Sequence, residues 1–122
     1  MKSLIYGYGI TGKSIERYLI KNNIDYKIYD DNKDLYTSDQ FTNNLKDNWD
    51  VIYCSPGINK ADFTKLKFIA KEDVLTDLDV FMAEDTSIKI GITGTNRKST
   101  TCFHLHQLLS KDYAVNLIGN IG

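Results

Sequence analysis

Short apolar runs alternate with amphipathic stretches along most of the chain. Residues 2–6, Lys-Ser-Leu-Ile-Tyr, read as a strand, and Ile15, Tyr18 and Leu19 then recur at the spacing of a helix lying on a sheet. Asn22-Asn23 is a natural stop, after which Tyr26-Lys27-Ile28-Tyr29 alternates as a second strand ending at Asp30. The polar stretch 31–49 predicts a loop with one short helix around Gln40–Leu45. Asp50-Val51-Ile52-Tyr53-Cys54 is a third strand, and Phe63, Leu66, Ile69 and Ala70 form a second helical stripe. Val74-Leu75 is a short fourth strand, followed by a helix over Asp77–Ala83 with Thr76 or Asp77 as its cap. Glu84-Asp85-Thr86-Ser87 is the most polar break nearby and the best boundary. Beyond it come a strand at 88–92, a helix whose buried side is Cys102, Leu105, Leu108 and Leu109, and a last strand at Ala114–Ile118. This repetition predicts an α/β fold: a Rossmann-like parallel sheet with flanking helices over 1–86, then a strand–loop–helix–strand start of a second domain over 87–122.

Two glycine-rich turns sit at strand-to-helix junctions. Gly7-Tyr8-Gly9-Ile10-Thr11-Gly12 follows the first strand, and Asp30 lies about twenty residues beyond it, the arrangement of a dinucleotide fingerprint. Glycines let the backbone approach a pyrophosphate, the helix start favours its charge, and the acid accepts from a hydroxyl or N–H. The pattern points to a phosphate-containing ligand without naming it. The second turn, Gly91-Ile92-Thr93-Gly94-Thr95-Asn96-Arg97-Lys98-Ser99-Thr100, follows an apolar run and opens a helix. Such a turn offers a nucleotide its main-chain N–H groups; Lys98 reaches the outer phosphates and the Ser99 hydroxyl completes the shell of Mg²⁺. The general phosphate-loop pattern is not met, because Ile92 and Arg97 stand where it has glycine. Ser55-Pro56-Gly57-Ile58, after the third strand, is either a ligand-edge turn or an ordinary strand-to-helix connection. Asp77 and Asp79 are explained by helix capping. His104 and His106, two apart, face different sides of a helix and do not chelate one metal.

Composition narrows the class. A 122-residue chain holds one compact domain, or a small one and part of another. A net charge of −1 gives no basic footprint for nucleic acid, and no segment has the length or apolarity of a membrane span or signal peptide. Cys54 and Cys102 lack metal-type spacing and read as free thiols of a reducing cytoplasm.

The order Gly7–Ser14, Asp30, Ser55–Ile58, Asp77–Phe81, Thr93–Ser99 and Gly119-Asn120-Ile121-Gly122 resembles the Mur ligases, the ATP-dependent amino-acid ligases of bacterial peptidoglycan precursor synthesis. Thr93–Ser99 is close to that family's own phosphate loop. Gly-x-Thr-Gly-x-Ser and Ser-Pro-Gly-Ile point to its D-glutamate-adding branch. The resemblance covers essentially the whole chain and implies a three-domain, monomeric cytoplasmic enzyme. ATP, with Mg²⁺, would phosphorylate the carboxylate of UDP-N-acetylmuramoyl-L-alanine, and the amine of D-glutamate would attack the acyl phosphate. By the same resemblance Gly9, Ile10 and Thr11 lie against the substrate diphosphate and Asp30 reads the uracil. Ser55, Pro56 and Gly57 line the nucleotide pocket, and Asn120 contacts the sugar end. Gly94, Thr95, Asn96, Arg97, Lys98, Ser99 and Thr100 bind ATP, with Lys98 catalytic and Ser99 on the metal.

Three departures qualify this. The family's remaining metal ligands have no counterpart within 122 residues, so the chain is expected to be an N-terminal fragment that binds UDP-sugar but does not ligate. Arg97 replaces a glycine at a close backbone approach, which predicts impaired ATP binding. Asp31-Asn32 stands where the family often has a threonine and a basic residue. The alternatives are a nicotinamide-binding Rossmann domain of an oxidoreductase or redox-sensing regulator, which leaves Thr93–Ser99 unexplained, and a phosphate-loop hydrolase or kinase, which leaves the first eighty residues without a role.

Overall fold

The computed structural model describes residues 1–70 and 73–119. The chain divides into two compact units, Met1–Thr86 and Ser87–Gly122. The first is built from β1 (Ser3–Tyr6), α1 (Ile10–Lys21), β2 (Tyr26–Tyr29), β3 (Val51–Cys54), α2 (Lys60–Lys67), β4 (Val74–Thr76) and α3 (Asp77–Glu84). Its four strands are all parallel, in the order β2-β1-β3-β4. The chain moves outward from β1 to β2, then crosses back to place β3 on the other side of β1. That reversal is the switch point where open α/β sheets bind ligands.

A parallel sheet covered on both faces needs strands apolar on both sides, and all four residues of β3 are buried. Alternate residues sort into two cores. Leu4, Ile52, Cys54 and Val74 pack with Trp49 and with Leu66 of α2. Ile5, Ile28, Val51 and Tyr53 pack with Ile15 and Leu19 of α1. The helix starts follow from local chemistry. The Asn59 side chain accepts the Ala61 N–H at 2.7 Å at the start of α2. Asp79 accepts the N–H and hydroxyl of Thr76 at 2.7 and 2.9 Å at the start of α3. The α1 helix is also pinned to β2, because Glu16 accepts from the hydroxyls of Tyr26, at 2.8 Å, and Tyr8.

The short helix expected around Gln40–Leu45 is absent. Phe41 instead forms a single parallel bridge with Ile28, which donates to Gln40 and accepts from Thr42, each at 2.8 Å. Side chains of Ser38, Thr42 and Asn44 accept main-chain N–H groups two residues on, the competition that keeps such residues out of helices. The local helix of this loop is a 3₁₀ turn at Lys33–Leu35, capped by Asn32. The second helix ends at Lys67, before the Ile69 and Ala70 of its sequence stripe.

In the second unit the helix appears as α4, Lys98–Leu109. The strands expected at 88–92 and 114–118 do not form, and no described residue of this unit is buried. Ile88 is 96% exposed, and Ile90, Phe103, Leu108, Tyr113 and Ile118 are exposed as well. Apolar alternation at these positions is real, but strand formation requires a partner strand and a face to cover. The expected buried side of α4 is likewise half-exposed at best: Cys102, Leu105 and Leu109 are partly covered and Leu108 is exposed.

Two outcomes test this packing. The Ser3 hydroxyl is fully buried without a hydrogen-bond partner among the described residues. Ser3→Ala is expected to raise the chemical-denaturation stability by about 1 kcal/mol, since it removes an unsatisfied buried hydroxyl. A loss of that size would mean that the hydroxyl is satisfied. The second concerns alkali. Burial, then the Glu16 hydrogen bond, pushes the Tyr26 phenol up to about 12, and burial with the neighbouring carboxylates does the same for Tyr6. The folded state therefore holds these protons where the unfolded chain releases them, so their stabilisation is complete below about pH 10 and fades as pH rises toward 12. The melting temperature should fall across that window, less steeply in Tyr26→Phe.

Candidate functional site

At the switch point three chain segments meet within van der Waals distance. Gly7, at the end of β1, has φ +95°, and a Cβ there would lie 2.8 Å from the Ser55 Oγ. Ser55, just beyond β3, donates its hydroxyl to the Gly7 carbonyl at 3.0 Å. Gly12, in the first turn of α1, is tighter still: a Cβ would come 2.1 Å from that carbonyl oxygen. The glycines of the first turn thus serve close packing of β1, α1 and β3.

Around this junction lies an open cleft of about 530 Å³. Its walls include Gly9, Ile10 and Thr11 from the start of α1, Asp30 from the end of β2, and Ser55, Pro56 and Gly57 from the end of β3. Seven of the eight positions assigned by sequence to the UDP-sugar are thereby brought together from three strand ends; the eighth, Asn120, lies outside the described residues. Ile10 is 91% exposed although apolar. The start of α1 carries no acidic residue in its first turn and no side-chain cap. Its leading N–H groups, with the Thr11 hydroxyl, offer an anion a set of donors.

The cleft also holds residues that sequence reading missed: Tyr6, Asp31, Asn59 and Asp62. Tyr6 and Tyr29 stack at 5.0 Å between ring centroids. The Tyr29 hydroxyl donates to Asp31 at 3.0 Å. Lys33 lies 4.2 Å over the Tyr29 ring and donates to the Asp30 carbonyl at 3.0 Å. Buried in part and flanked by the charges of Asp31 and Asp62, Tyr6 stays protonated and is a donor at neutral pH. The legible signal was position alone: Tyr6 is the last residue of β1, and Asp31 follows the acid at the end of β2. Among the described residues no lysine or arginine lines the cleft, so the donors they offer an anionic group there are main-chain N–H groups and neutral side chains.

Asp30 has a second engagement. Its Oδ2 accepts the Tyr8 N–H at 2.7 Å and its Oδ1 accepts the Asn32 N–H at 2.8 Å. The carboxylate ties the glycine turn after β1 to the turn after β2.

In the second unit, Gly94, Thr95, Asn96, Arg97, Lys98, Ser99 and Thr100 form the exposed turn and first residues of α4. Lys98 and Ser99 open the helix, and no side chain caps it. Arg97 is left-handed, with φ +60° and ψ +18°. The position that a phosphate loop gives to glycine thus keeps a glycine-like backbone while carrying a side chain, at a cost of roughly 1–2 kcal/mol. Residue types and helix start fit a triphosphate with Mg²⁺, with Lys98 and Ser99 as the groups that would hold them. His106 Nε2 lies 3.2 Å from the Val115 carbonyl, and the described residues contain no cluster of three metal-ligating side chains. No described helix is long and apolar enough to cross a membrane.

No protein-family model matches the chain. Curated relatives do match it, among them two ligases. The UDP-N-acetylmuramoylalanine–D-glutamate ligase of Buchnera aphidicola subsp. Schizaphis graminum (strain Sg) is 35% identical over 136 aligned positions, covering 99% of this chain and 30% of that protein. The ligase of the same name from Francisella tularensis subsp. tularensis (strain WY96-3418) is 39% identical over 129 positions, covering 99% of this chain and 29% of that protein. The chain therefore spans about three tenths of the length of the curated relatives that it matches. Over nearly every residue, the chain is thus similar to a portion of the UDP-N-acetylmuramoylalanine–D-glutamate ligases, members of the Mur ligase family.

Proposed function

We propose that the first unit is a UDP-sugar-binding domain, and that the protein works in the ligation of D-glutamate to UDP-N-acetylmuramoyl-L-alanine in the bacterial cytoplasm. The observation that carries this reading is the convergence of Gly9–Thr11, Asp30 and Ser55–Gly57 on one cleft at the switch point, in a chain similar to such ligases over 99% of its length. The diphosphate lies against the start of α1, where N–H groups and the Thr11 hydroxyl receive it. The nucleoside end lies toward β2, and Ser55–Gly57 closes the β3 side.

The second unit contributes residues of an ATP site. Lys98 meets the outer phosphates as a point charge and Ser99 offers its hydroxyl to Mg²⁺. When bound, ATP with Mg²⁺ would supply the phosphoryl group that activates the L-alanyl carboxylate, releasing ADP, and the amine of D-glutamate would then displace inorganic phosphate to form the amide. This chain's own residues bind and orient.

Calorimetric titration with UDP-N-acetylmuramoyl-L-alanine, with NAD⁺ and ATP as parallel ligands, tests the first unit. The UDP-sugar should bind, and Thr11→Ala should weaken it about tenfold, the loss of one hydrogen bond to a charged group. Binding of NAD⁺ without a response to the UDP-sugar would replace this reading with a nicotinamide one. For the second unit, Arg97→Gly removes the left-handed strain and opens the approach to phosphate. It should raise helix content by circular dichroism and tighten MgATP binding, and an unchanged ATP affinity would show that Arg97 is no obstacle.

A further inference from the structure

Close packing fixes the turn after β1 at two of its three glycines. A Cβ on Gly7 or Gly12 would strike neighbouring atoms, but one on Gly9 would meet nothing within 4 Å. Between Gly7 and Gly9, Tyr8 gives the turn a side chain, and that side chain is gripped outside the cleft. Its hydroxyl donates to Glu16 Oε2, and its ring meets Phe41 almost at right angles, with 5.3 Å between centroids. Lys13 adds a cation 5.7 Å from the same ring. Glu16 is itself held, because its Oε1 accepts the Tyr26 hydroxyl from β2 at 2.8 Å. The hydrogen bond to Glu16, then burial, raises the Tyr8 phenol above its ordinary value, so it is the donor at neutral pH. Bonds from hydroxyls to a carboxylate are stronger than neutral ones.

We propose that Glu16, from within α1, is the positioning residue of this turn: through the Tyr8 side chain it holds Gly9, Ile10 and Thr11 in the conformation that receives the ligand's diphosphate. This rests on the nucleotide reading of the cleft and deepens it. Glycine leaves the backbone free on both sides of Tyr8, and an anion site made of main-chain N–H groups binds well only when those groups already converge. Without the Glu16 anchor the segment samples other conformations, and ligand binding has to order it at an entropic cost. Glu16 acts through Tyr8 and not on the ligand, so its effect falls on the diphosphate end.

The test titrates the whole 122-residue chain with UDP and with UMP by calorimetry, and follows the thermal melt of each variant. Glu16→Ala should weaken UDP about tenfold and UMP about threefold, so that the preference for UDP shrinks by the difference, on the scale of one hydrogen bond to a charged group. Tyr8→Phe keeps the ring against Phe41 and loses the hydroxyl. It should shrink the preference likewise, and the double variant should do no more than Glu16→Ala alone. Glu16→Gln retains one acceptor oxygen and should restore part of the preference. Tyr26→Phe removes the other bond to Glu16 and should lower the melting temperature while leaving the ratio of UDP to UMP affinity as it was. If Glu16→Ala weakens UDP and UMP in equal proportion, or if Tyr8→Phe leaves their ratio unchanged, the positioning role of Glu16 is overturned while the cleft reading stands. Tyr8→Phe decides alone if Glu16→Ala does not fold. If the unaltered protein binds UDP no better than UMP, the diphosphate reading of the turn falls and takes this assignment with it.

Discussion

Everything in the first unit depends on how closely three backbones approach one another beside Gly7. The carbonyl of that residue lies where a Cβ on Gly12 would have to sit, and it accepts the Ser55 hydroxyl. This single oxygen therefore joins the end of β1, the first turn of α1 and the end of β3. Its environment dictates residue size at two positions and residue chemistry at a third. A methyl group at residue 12 would force the helix off the sheet, separating Ile15 and Leu19 from Ile5, Val51 and Tyr53. The same contact gives the cleft its floor, so the stability of the fold and the shape of the site share one cause.

The strand sequence supports this arrangement without specifying it. Parallel strands buried on both faces need continuous apolar runs, and β1 and β3 provide them. The edge strand β2 is half-covered, and its exposed flank takes the bridge from Phe41. That bridge, the Tyr36–Phe41 ring contact and the Tyr36 hydroxyl donating to the Thr42 carbonyl at 3.0 Å convert a polar loop into an ordered border along β2. Ordered loops at the carboxyl ends of strands are where an α/β fold places its chemistry.

Much of this was legible in the chain itself, for definable reasons. The four strands and three helices of the first unit follow from periodicity, while the cap, open in the sequence between Thr76 and Asp77, is Thr76, tied to Asp79. The cleft residues at the glycine turn and in Ser55-Pro56-Gly57 were legible because turn chemistry at strand ends is local. Tyr6 and Asp31 were not, since their roles come from a ring stack and a hydroxyl that only the folded sheet brings together. The loop helix at Gln40–Leu45 failed because short polar side chains captured the main chain first. The two outer strands failed for the opposite reason. Their pattern at Ile88 and Ile90, and again at Val115 and Leu117, is correct for a sheet, but pairing is a long-range event that pattern alone does not supply.

The contrast between the units has a thermodynamic consequence. The first has two cores and a hydrogen-bonded sheet, so its residues lose their order together, with the sharp heat absorption of a cooperative domain. The second has a twelve-residue helix with no buried residue, opened by a left-handed arginine. A helix of that length with only partial tertiary cover unravels from its ends over a wide temperature range, because each residue gives up one hydrogen bond at a time. Heat capacity and far-ultraviolet ellipticity should therefore part company on warming, the helical signal sloping away well before the sheet domain melts.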